Sequence, residues 1–441
     1  SGLYRVTSGK KDDVLDTVEK LKALDGGGEH GPHAVRLAPD GKSLYVICGN
    51  HTKPPKDFNS SRVPKNWAED HILPRQWDAG GHAVGILAPG GYVAKTDFDG
   101  KTWEIFTSGY RNPFDFAFNA DGEMFVYDAD MEWDQGMPWY RPTRVNHATS
   151  GSELGWRSGT GKWPAYYPDS LPAMVDIGPG SPVGVDFGYG AKFPAKYQKA
   201  LFICDWTFGT MYAIHTEASG ATYKGTKEEF LSRTPLPLTD VCINPADGAM
   251  YFTIGGRGTQ SELYRVTYTG KESTEKADAK TPRTKERELL LAIEEYSQPA
   301  MGTKALDKLI KLLGHQDRVV RYTARAALEH YPAKNWQDAV FGLEETDAVI
   351  GGGIALAHQA DKGIQPKLLA KLGTLDITKL DESKQLDLLR AYQLAFTRMG
   401  EPSKDDAAQV LKSLDPLFPN KSDLVNRELR ALVAQGLCFV Q

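Results

Sequence analysis

The sequence predicts a β-propeller over residues 1–270, a charged linker over 271–285, and HEAT-like α-helical repeats over 286–441. Three observations predict this order. First, only ten of the 44 Gly lie after residue 270, and eight of the nine Trp precede it, so the composition averages two unlike parts. Second, a strand–turn–strand unit built on Asp-Gly recurs in the first part. Third, from about residue 286 the apolar spacing changes to the 3–4 residue period of a helix.

Each element follows in order. The hairpin unit reads Leu37-Ala-Pro-Asp-Gly-Lys-Ser-Leu-Tyr-Val-Ile-Cys-Gly49 in its first copy. It returns at Phe118–Asp128 and Ile243–Gly255, with a degenerate copy from Phe193 to Asp205. Asp-Gly supplies the positive-φ backbone that a tight reversal needs. Hairpins repeated at intervals of tens of residues point to radial repetition, for which a propeller is the usual solution. A second echo, Ser1-Gly-Leu-Tyr-Arg-Val-Thr7 and Ser261-Glu-Leu-Tyr-Arg-Val-Thr267, places the same strand in two blades. The first copy has no strands before it, so the propeller is expected to be incomplete at its N-terminus. Residues 271–285 are charged and lack an apolar period, as in a solvated linker. Beyond them, Leu289, Leu290, Ile293 and Tyr296 share one helix face, as do Leu306, Leu309, Ile310 and Leu313. The clearest helix starts after Asp317, with Arg321 and Arg325 four apart. Paired helices at uneven spacing suggest an α-solenoid.

Composition excludes several classes. Lys+Arg number 52 against Asp+Glu 57, a net charge of −5, so no bulk electrostatic binding to nucleic acid is expected. No apolar run approaches the ~18 residues of a membrane span. The four cysteines (Cys48, Cys204, Cys242, Cys438) have neither metal nor disulfide spacing, and the first three sit in apolar strand-like runs as buried hydrophobes.

Five constellations could carry chemistry. Gly26-Gly-Gly-Glu-His-Gly-Pro-His-Ala-Val-Arg-Leu37 places His30 and His33 in a glycine-rich loop feeding a strand. Histidine is the natural base near neutral pH, and glycines let a large ligand approach the backbone. Gly109-Tyr-Arg-Asn-Pro113 presents Arg111 from a stiff turn, where its planar fork suits a carboxylate or quinone oxygen. In 128–134, Asp128, Asp130, Glu132 and Asp134 keep a period of two. In an extended strand they would share one face and could hold Ca²⁺ or another hard cation, or they could be a solvated acidic loop. The stretch Trp133–Trp163 carries Trp139, Tyr140, Arg141, Arg144, His147 and Trp156, suited to stacking on sugars or flat cofactors or to packing on the scaffold. A last set, Asn50-His51-Thr52, His71, Arg75, Trp77, Asp78 and His82, lacks metal spacing and reads as structural, as do His315, His330 and His358.

The first part resembles the glucose/sorbosone dehydrogenase family, the quinoprotein sugar dehydrogenases. More closely it resembles the planctomycete and verrucomicrobial membrane-bound dehydrogenase family, in which such a propeller precedes HEAT-like repeats. The segments carrying the resemblance are Glu29-His-Gly-Pro-His33 to Gly41, Tyr110-Arg-Asn-Pro113, Ser152-Glu-Leu-Gly-Trp156, Gly180–Phe202 and Asp240–Tyr251. It implies a six-bladed propeller that binds pyrroloquinoline quinone (PQQ) over the central channel with Ca²⁺. It also implies a histidine base, a carbohydrate or alcohol substrate, a c-type cytochrome or haem acceptor and a periplasmic setting. The base role falls on His33, with His30 as second candidate. Cofactor contact falls on Arg111 and Asn112, and the acidic stretch on Asp128 and Asp130. The family's arginine pair before the last Asp-Val strand has no counterpart in Pro235-Leu-Pro-Leu-Thr-Asp-Val241, and Arg257 is the candidate in its place. Two further classes fit the same residues. One is a non-catalytic scaffold binding carbohydrate, with a protein partner on the solenoid. The other is a metal-dependent hydrolase or lyase using the acidic run.

Overall fold

The computed structural model describes residues 1–10, 12–129, 131–297 and 303–440. The chain forms two compact units. The β unit comprises 1–63, 89–156 and 173–284; the helical unit comprises 64–88, 157–172 and 285–441.

The β unit is a series of meander sheets. β1 (Gly2–Thr7) and β2 (Thr17–Ala23) form a two-stranded sheet. β3 (Pro32–Leu37), β4 (Leu44–Cys48), β6 (Gly91–Thr96) and β7 (Trp103–Tyr110) pair in that order, with β5 (Ser60–Ser61) parallel to β7 at the edge. β8 (Asp115–Phe118), β9 (Met124–Asp128), β10 (Thr143–Ala148) and β11 (Val175–Gly178) make the next sheet. β12 (Pro182–Phe187), β13 (Leu201–Asp205), β14 (Thr210–Ser219) and β15 (Thr222–Ser232) make another. β16 (Leu238–Ile243), β17 (Met250–Gly256) and β18 (Thr259–Val266) make the last. A one-turn helix, α1 (Ala195–Gln198), lies between β12 and β13.

Each repeat read from the sequence closes an antiparallel hairpin. Leu37 pairs with Leu44, Phe118 with Met124, Phe187 with Leu201 and Ile243 with Met250. In the three Asp-Gly copies the glycine alone takes positive φ: Gly41 (67°), Gly122 (83°) and Gly248 (70°). The connections are longer than two residues, so the aspartate stays in ordinary backbone space. The first strands of successive sheets lie side by side, β3 by β8, β8 by β12 and β12 by β16. That order is propeller-like. Apolar residues fill the space between sheets: Phe125, Tyr127, Val145, Val185 and Ile203 in one layer, Phe202, Met211, Leu238, Val241 and Met250 in the next.

Residues 271–284 are mostly exposed, as expected of a charged segment, but they are not a free linker. They lie on the β unit, where the buried Gln198 donates Nε2 to the Glu275 carbonyl at 2.8 Å and accepts from Ala277 N at 2.9 Å. Thr281 N donates to Asp121 at 3.1 Å, and Thr284 Oγ1 to the Gly220 carbonyl at 2.6 Å. A charged composition thus conceals backbone bonding that ties the segment down. Cys48 and Cys204 are buried as expected; Cys242, on the edge strand β16, is exposed.

The helical unit holds α2 (Lys285–Tyr296), α3 (Thr303–Leu312), α4 (Arg318–Leu328), α5 (Gln337–Phe341), α6 (Thr346–Gln359), α7 (Gln365–Leu372), α8 (Glu382–Met399), α9 (Lys404–Leu414) and α10 (Asp423–Val440). Asp317 caps α4, accepting from Val319 N at 2.8 Å and Val320 N at 3.1 Å. None of the described helices is long and apolar enough to cross a membrane.

Two segments within the 1–270 stretch assigned to the propeller, 64–88 and 157–172, belong to this unit. Asp169 takes a forked ion pair from Arg390 of α8 at 2.7–3.1 Å, with both side chains at most 1% exposed. Asp70 pairs with Arg398 of the same helix, whose Nη2 reaches Oδ2 at 2.6 Å. Tyr166 and Tyr167 donate to Glu428 of α10 at 2.5 and 3.0 Å, and Arg390 lies over the Tyr167 ring at 4.0 Å. Much of the Trp133–Trp163 excursion and of the His71–Asp78 set is therefore spent on packing. Trp163 donates to the Glu69 carbonyl, and buried Asp78 pairs with Lys162 at 3.2 Å.

Candidate functional site

The site is built where β3 begins. The glycine-rich loop makes a short 3₁₀ turn, Gly28–His30, and Gly28 takes φ +67°. Gly31 and Gly49 are joined by a backbone bond of 2.9 Å. Gly49 cannot carry a side chain here: a Cβ would stand 2.7 Å from both Asn112 Oδ1 and the His30 carbonyl. Its bareness lets the asparagine of the Arg-Asn-Pro turn reach the histidine loop. Sequence reasoning passed over Gly49, which looked like the ordinary end of a hairpin.

His33 Nε2 lies 2.8 Å from Asn112 Oδ1, and Asn112 Nδ2 donates to the Glu29 carbonyl at 3.2 Å. The second bond orients the amide, so Oδ1 faces the ring and His33 Nε2 is the donor. The ring packs on Phe114 at 4.7 Å. Burial lowers the His33 pKa below the ordinary imidazole value; the bonds to Asn112 and to the Glu29 backbone oppose that without reversing it. The imidazole is therefore neutral near pH 7, and its neighbours are acceptors that favour the imidazolium formed when it takes a proton.

His30 does not share this place. It is 1% exposed, bonds Asn50 Oδ1 at 2.6 Å through Nδ1 and stacks on His51 at 4.6 Å. It is a packed member of the loop's support.

Asp128 holds the Arg-Asn-Pro turn. It is buried, and accepts from Arg111 N (3.1 Å), Asn112 N (3.0 Å) and Arg144 Nη2 (3.4 Å). Burial raises its pKa against the pull of Arg144. Its acceptor capacity goes to the turn. The extended acidic face expected here does not form: β9 ends at Asp128, and Glu132–Asp134 make a 3₁₀ turn with Glu132 exposed and Asp134 buried. Asp130 lies outside the described residues. Among the described residues, Asp128, Glu132 and Asp134 are not gathered into a set of donors within reach of one ion.

Arg111 is 6% exposed. Its Nη2 lies 3.7 Å from Met131 Sδ, and its buried Nε donates to nothing. A buried donor without an acceptor costs free energy, on the order of 1–3 kcal/mol. Arg257 stands on the rim with φ 51°, over the Trp206 ring at 5.1 Å and 3.3 Å from Glu29 Oε1. Glu29 thus touches Asn112 through its carbonyl and Arg257 through its carboxylate. His33, Asn112 and Arg257, far apart in sequence, stand in one chain of contacts.

Beyond His33 on the same strand, Arg36 reaches the neighbouring first strands. Its Nε and Nη2 fork onto Asp115 at 3.2 and 2.6 Å, and Nη2 also donates to the Val185 carbonyl at 2.7 Å. One guanidinium so ties β3 to β8 and β12. Asp186 of β12 is pushed up to about 6 by burial, with Arg36 opposing. Ser152–Trp156, part of the family resemblance, lies along β7 through Ser108–Leu154 and Gly109–Trp156 backbone bonds, a packing role.

No protein-family model matches this chain, and no curated protein sequence matches it. Solved structures do. One is an oxidoreductase (glucose dehydrogenase) from Thermus thermophilus, 18% identical, covering 57% of this chain and 70% of that one with a TM-score of 0.40. Another is the PQQ-bound aldose sugar dehydrogenase from Streptomyces coelicolor, 13% identical, covering 57% and 66% with a TM-score of 0.38. A third is the apo form of the soluble aldose sugar dehydrogenase from Escherichia coli, 15% identical, covering 58% and 70% with a TM-score of 0.38.

Proposed function

We propose that the β unit is the reaction centre of a quinoprotein-type dehydrogenase that oxidises a sugar or alcohol hydroxyl. The observation that carries this reading is the His33–Asn112 pair: a neutral, partly buried imidazole set 2.8 Å from the asparagine of an Arg-Asn-Pro turn. His33 takes the hydroxyl proton as general base on Nδ1, since its Nε2–H is held by Asn112 Oδ1. Asn112 holds the ring, and Phe114 limits its rotation. The tight support of Gly49, His30 and Asp128 keeps both groups in place.

The residues fit PQQ at one point that the sequence alone could not supply. The buried Arg111 Nε without an acceptor suits a carbonyl or carboxylate of such a ligand. Arg111, Asn112 and Arg257 would hold it, and Trp206 beside Arg257 offers an aromatic wall. When bound, PQQ supplies a two-electron acceptor for the substrate's hydride. Ca²⁺ does not fit the acidic run, because Asp128 is spent on the turn. No step here uses a metal. The same reading takes the meander sheets as blades of a six-bladed propeller and the helices as HEAT-like. It places the protein outside the cytoplasm with a cytochrome or haem domain as acceptor.

The test is reconstitution of the full chain with PQQ, followed by dye reduction with a panel of aldoses and alcohols. His33→Ala should abolish turnover while leaving quinone binding measurable by absorbance. Absence of both quinone binding and dye reduction in the wild type defeats the proposal. A second reading, a carbohydrate-binding scaffold, draws on the missing arginine pair and on Arg257, which is 72% exposed in its side chain and already engaged by Glu29. Sugar binding by calorimetry, with no quinone bound, would favour it.

A further inference from the structure

Helix α4 carries a second built site. Arg318, Arg321 and Arg325 are spaced i, i+3, i+7, so one face of the helix presents three guanidinium groups. They line a small cavity of about 30 Å³ together with Asp347 of α6 and Asp387 of α8. That is room for one water molecule or one ion of similar size.

The donors around it are unevenly used. Arg318 Nη2 donates to the carbonyls of Ala165 (2.9 Å), Tyr167 (2.6 Å) and Ser170 (3.2 Å), and no carboxylate reaches it among the described residues. Arg321 Nη1 donates to the carbonyls of His315 (2.7 Å) and Gln316 (2.9 Å), with Asp347 at 3.8 Å. Asp347 is itself held by Lys384 at 2.9 Å. Arg325 is 5% exposed and pairs with Glu329, but its Nε has no acceptor. Asp387 makes no hydrogen bond or ion pair among the described residues. Of the side chains that line the cavity, three are cations (Arg318, Arg321, Arg325) and two are carboxylates (Asp347, Asp387). The Arg390–Asp169 pair nearby is balanced. A small cavity with positive excess and an orphaned buried donor lowers its free energy by taking an anion.

We infer that this cavity in the helical unit binds one small monovalent inorganic anion of halide size. Asp387 sets the pH range. Burial raises its pKa to about 7, against Arg318 and Arg321 of α4, with Asp347 of α6 and Asp169 of the 157–172 segment adding to the rise. The anion and the ionised Asp387 compete for the same positive field, so anion binding takes up a proton. Above about pH 7 the apparent Kd should rise about tenfold per pH unit.

The probe is chloride. Line broadening of ³⁵Cl is titrated on the full-length protein at constant ionic strength, with gluconate as the replacing anion. Saturable broadening at pH 6 that weakens about tenfold from pH 7.5 to 8.5 is expected. Asp387→Asn, which breaks no ion pair, should bind chloride equally at both pH values. Arg321→Gln should remove the saturable component, with folding checked by far-UV circular dichroism. No saturable broadening at pH 6 in either the wild type or Asp387→Asn would mean a water-filled cavity and overturn the inference, as would full retention in Arg321→Gln. Failure of the quinone test leaves this outcome untouched, since none of these residues belongs to that site.

Discussion

Replacing Asp169 with alanine should destabilise the helical unit by about 4 kcal/mol. The magnitude follows from the pair it breaks. Asp169 receives three close contacts from Arg390, at 2.7, 3.0 and 3.1 Å, and neither side chain is more than 1% exposed. Without the carboxylate, Arg390 keeps its bond to the Asp70 carbonyl at 2.8 Å and its place over the Tyr167 ring, but its charge is left buried and uncompensated. Removing one partner of such a pair typically costs about 3–5 kcal/mol. In a unit of about 200 residues each kcal/mol shifts the midpoint by roughly 2–4 °C, so a fall of about 12 °C is expected. The assay is thermal unfolding followed at 222 nm, where the helices dominate. Arg390→Met in the same background should recover much of the loss, because a buried pair exchanged for apolar packing is often neutral. A shift under about 3 °C for Asp169→Ala, or no recovery in the double variant, would refute the reasoning that the segment 157–172 is fastened by this charge pair.

Three other outcomes are expected. Gly49→Ala should lower dye-reduction activity far more than stability, since the new Cβ must displace Asn112 Oδ1 or the His30 carbonyl from 2.7 Å; the stability cost, read by urea unfolding, should be about 1–3 kcal/mol. The His33 imidazole should titrate below the ordinary histidine range by NMR. Because its folded pKa is depressed, its neutral form favours folding above the unfolded value, and that contribution fades as pH falls below the ordinary histidine pKa. Asp317→Ala should cost about 1 kcal/mol in chemical unfolding through loss of the α4 cap.

How far the sequence could be read depended on the distance over which each signal acts. The hairpins were legible because their cause is local: a glycine free to take positive φ, flanked by strand residues, reverses the chain wherever it occurs. The α4 cap was legible for the same reason. The His33 loop and the Arg-Asn-Pro turn were recognisable as motifs, yet their 79-residue separation hid the contact between them, and no pattern announced that Gly49 makes room for it. Arg36 left a faint signal. It sits at the strand position that carries Asp186 in the β12 repeat, so opposite charges occupy one position of neighbouring first strands.

The segments 64–88 and 157–172 left almost no signal, for a physical reason. Asp70 and Asp169 read as ordinary loop acids, and Arg390 and Arg398 lie on a helix two hundred or more residues away. Only their burial makes these charges costly alone and favourable together, and burial is a property of the finished fold. The same condition explains the acidic run 128–134. As a string it suggested a cation site. In the fold, Asp128 faces two backbone N–H groups and Arg144, so the partners of its charge are already present. A cluster of acids marks a metal site only when the protein leaves their lone pairs unclaimed. Two buried guanidinium donors are left without an acceptor among the described residues, Arg111 Nε in the β unit and Arg325 Nε in the helical unit. Both ask for an acceptor, so the chemistry most worth seeking at either place is that of an oxyanion, a carbonyl or a halide rather than a cation.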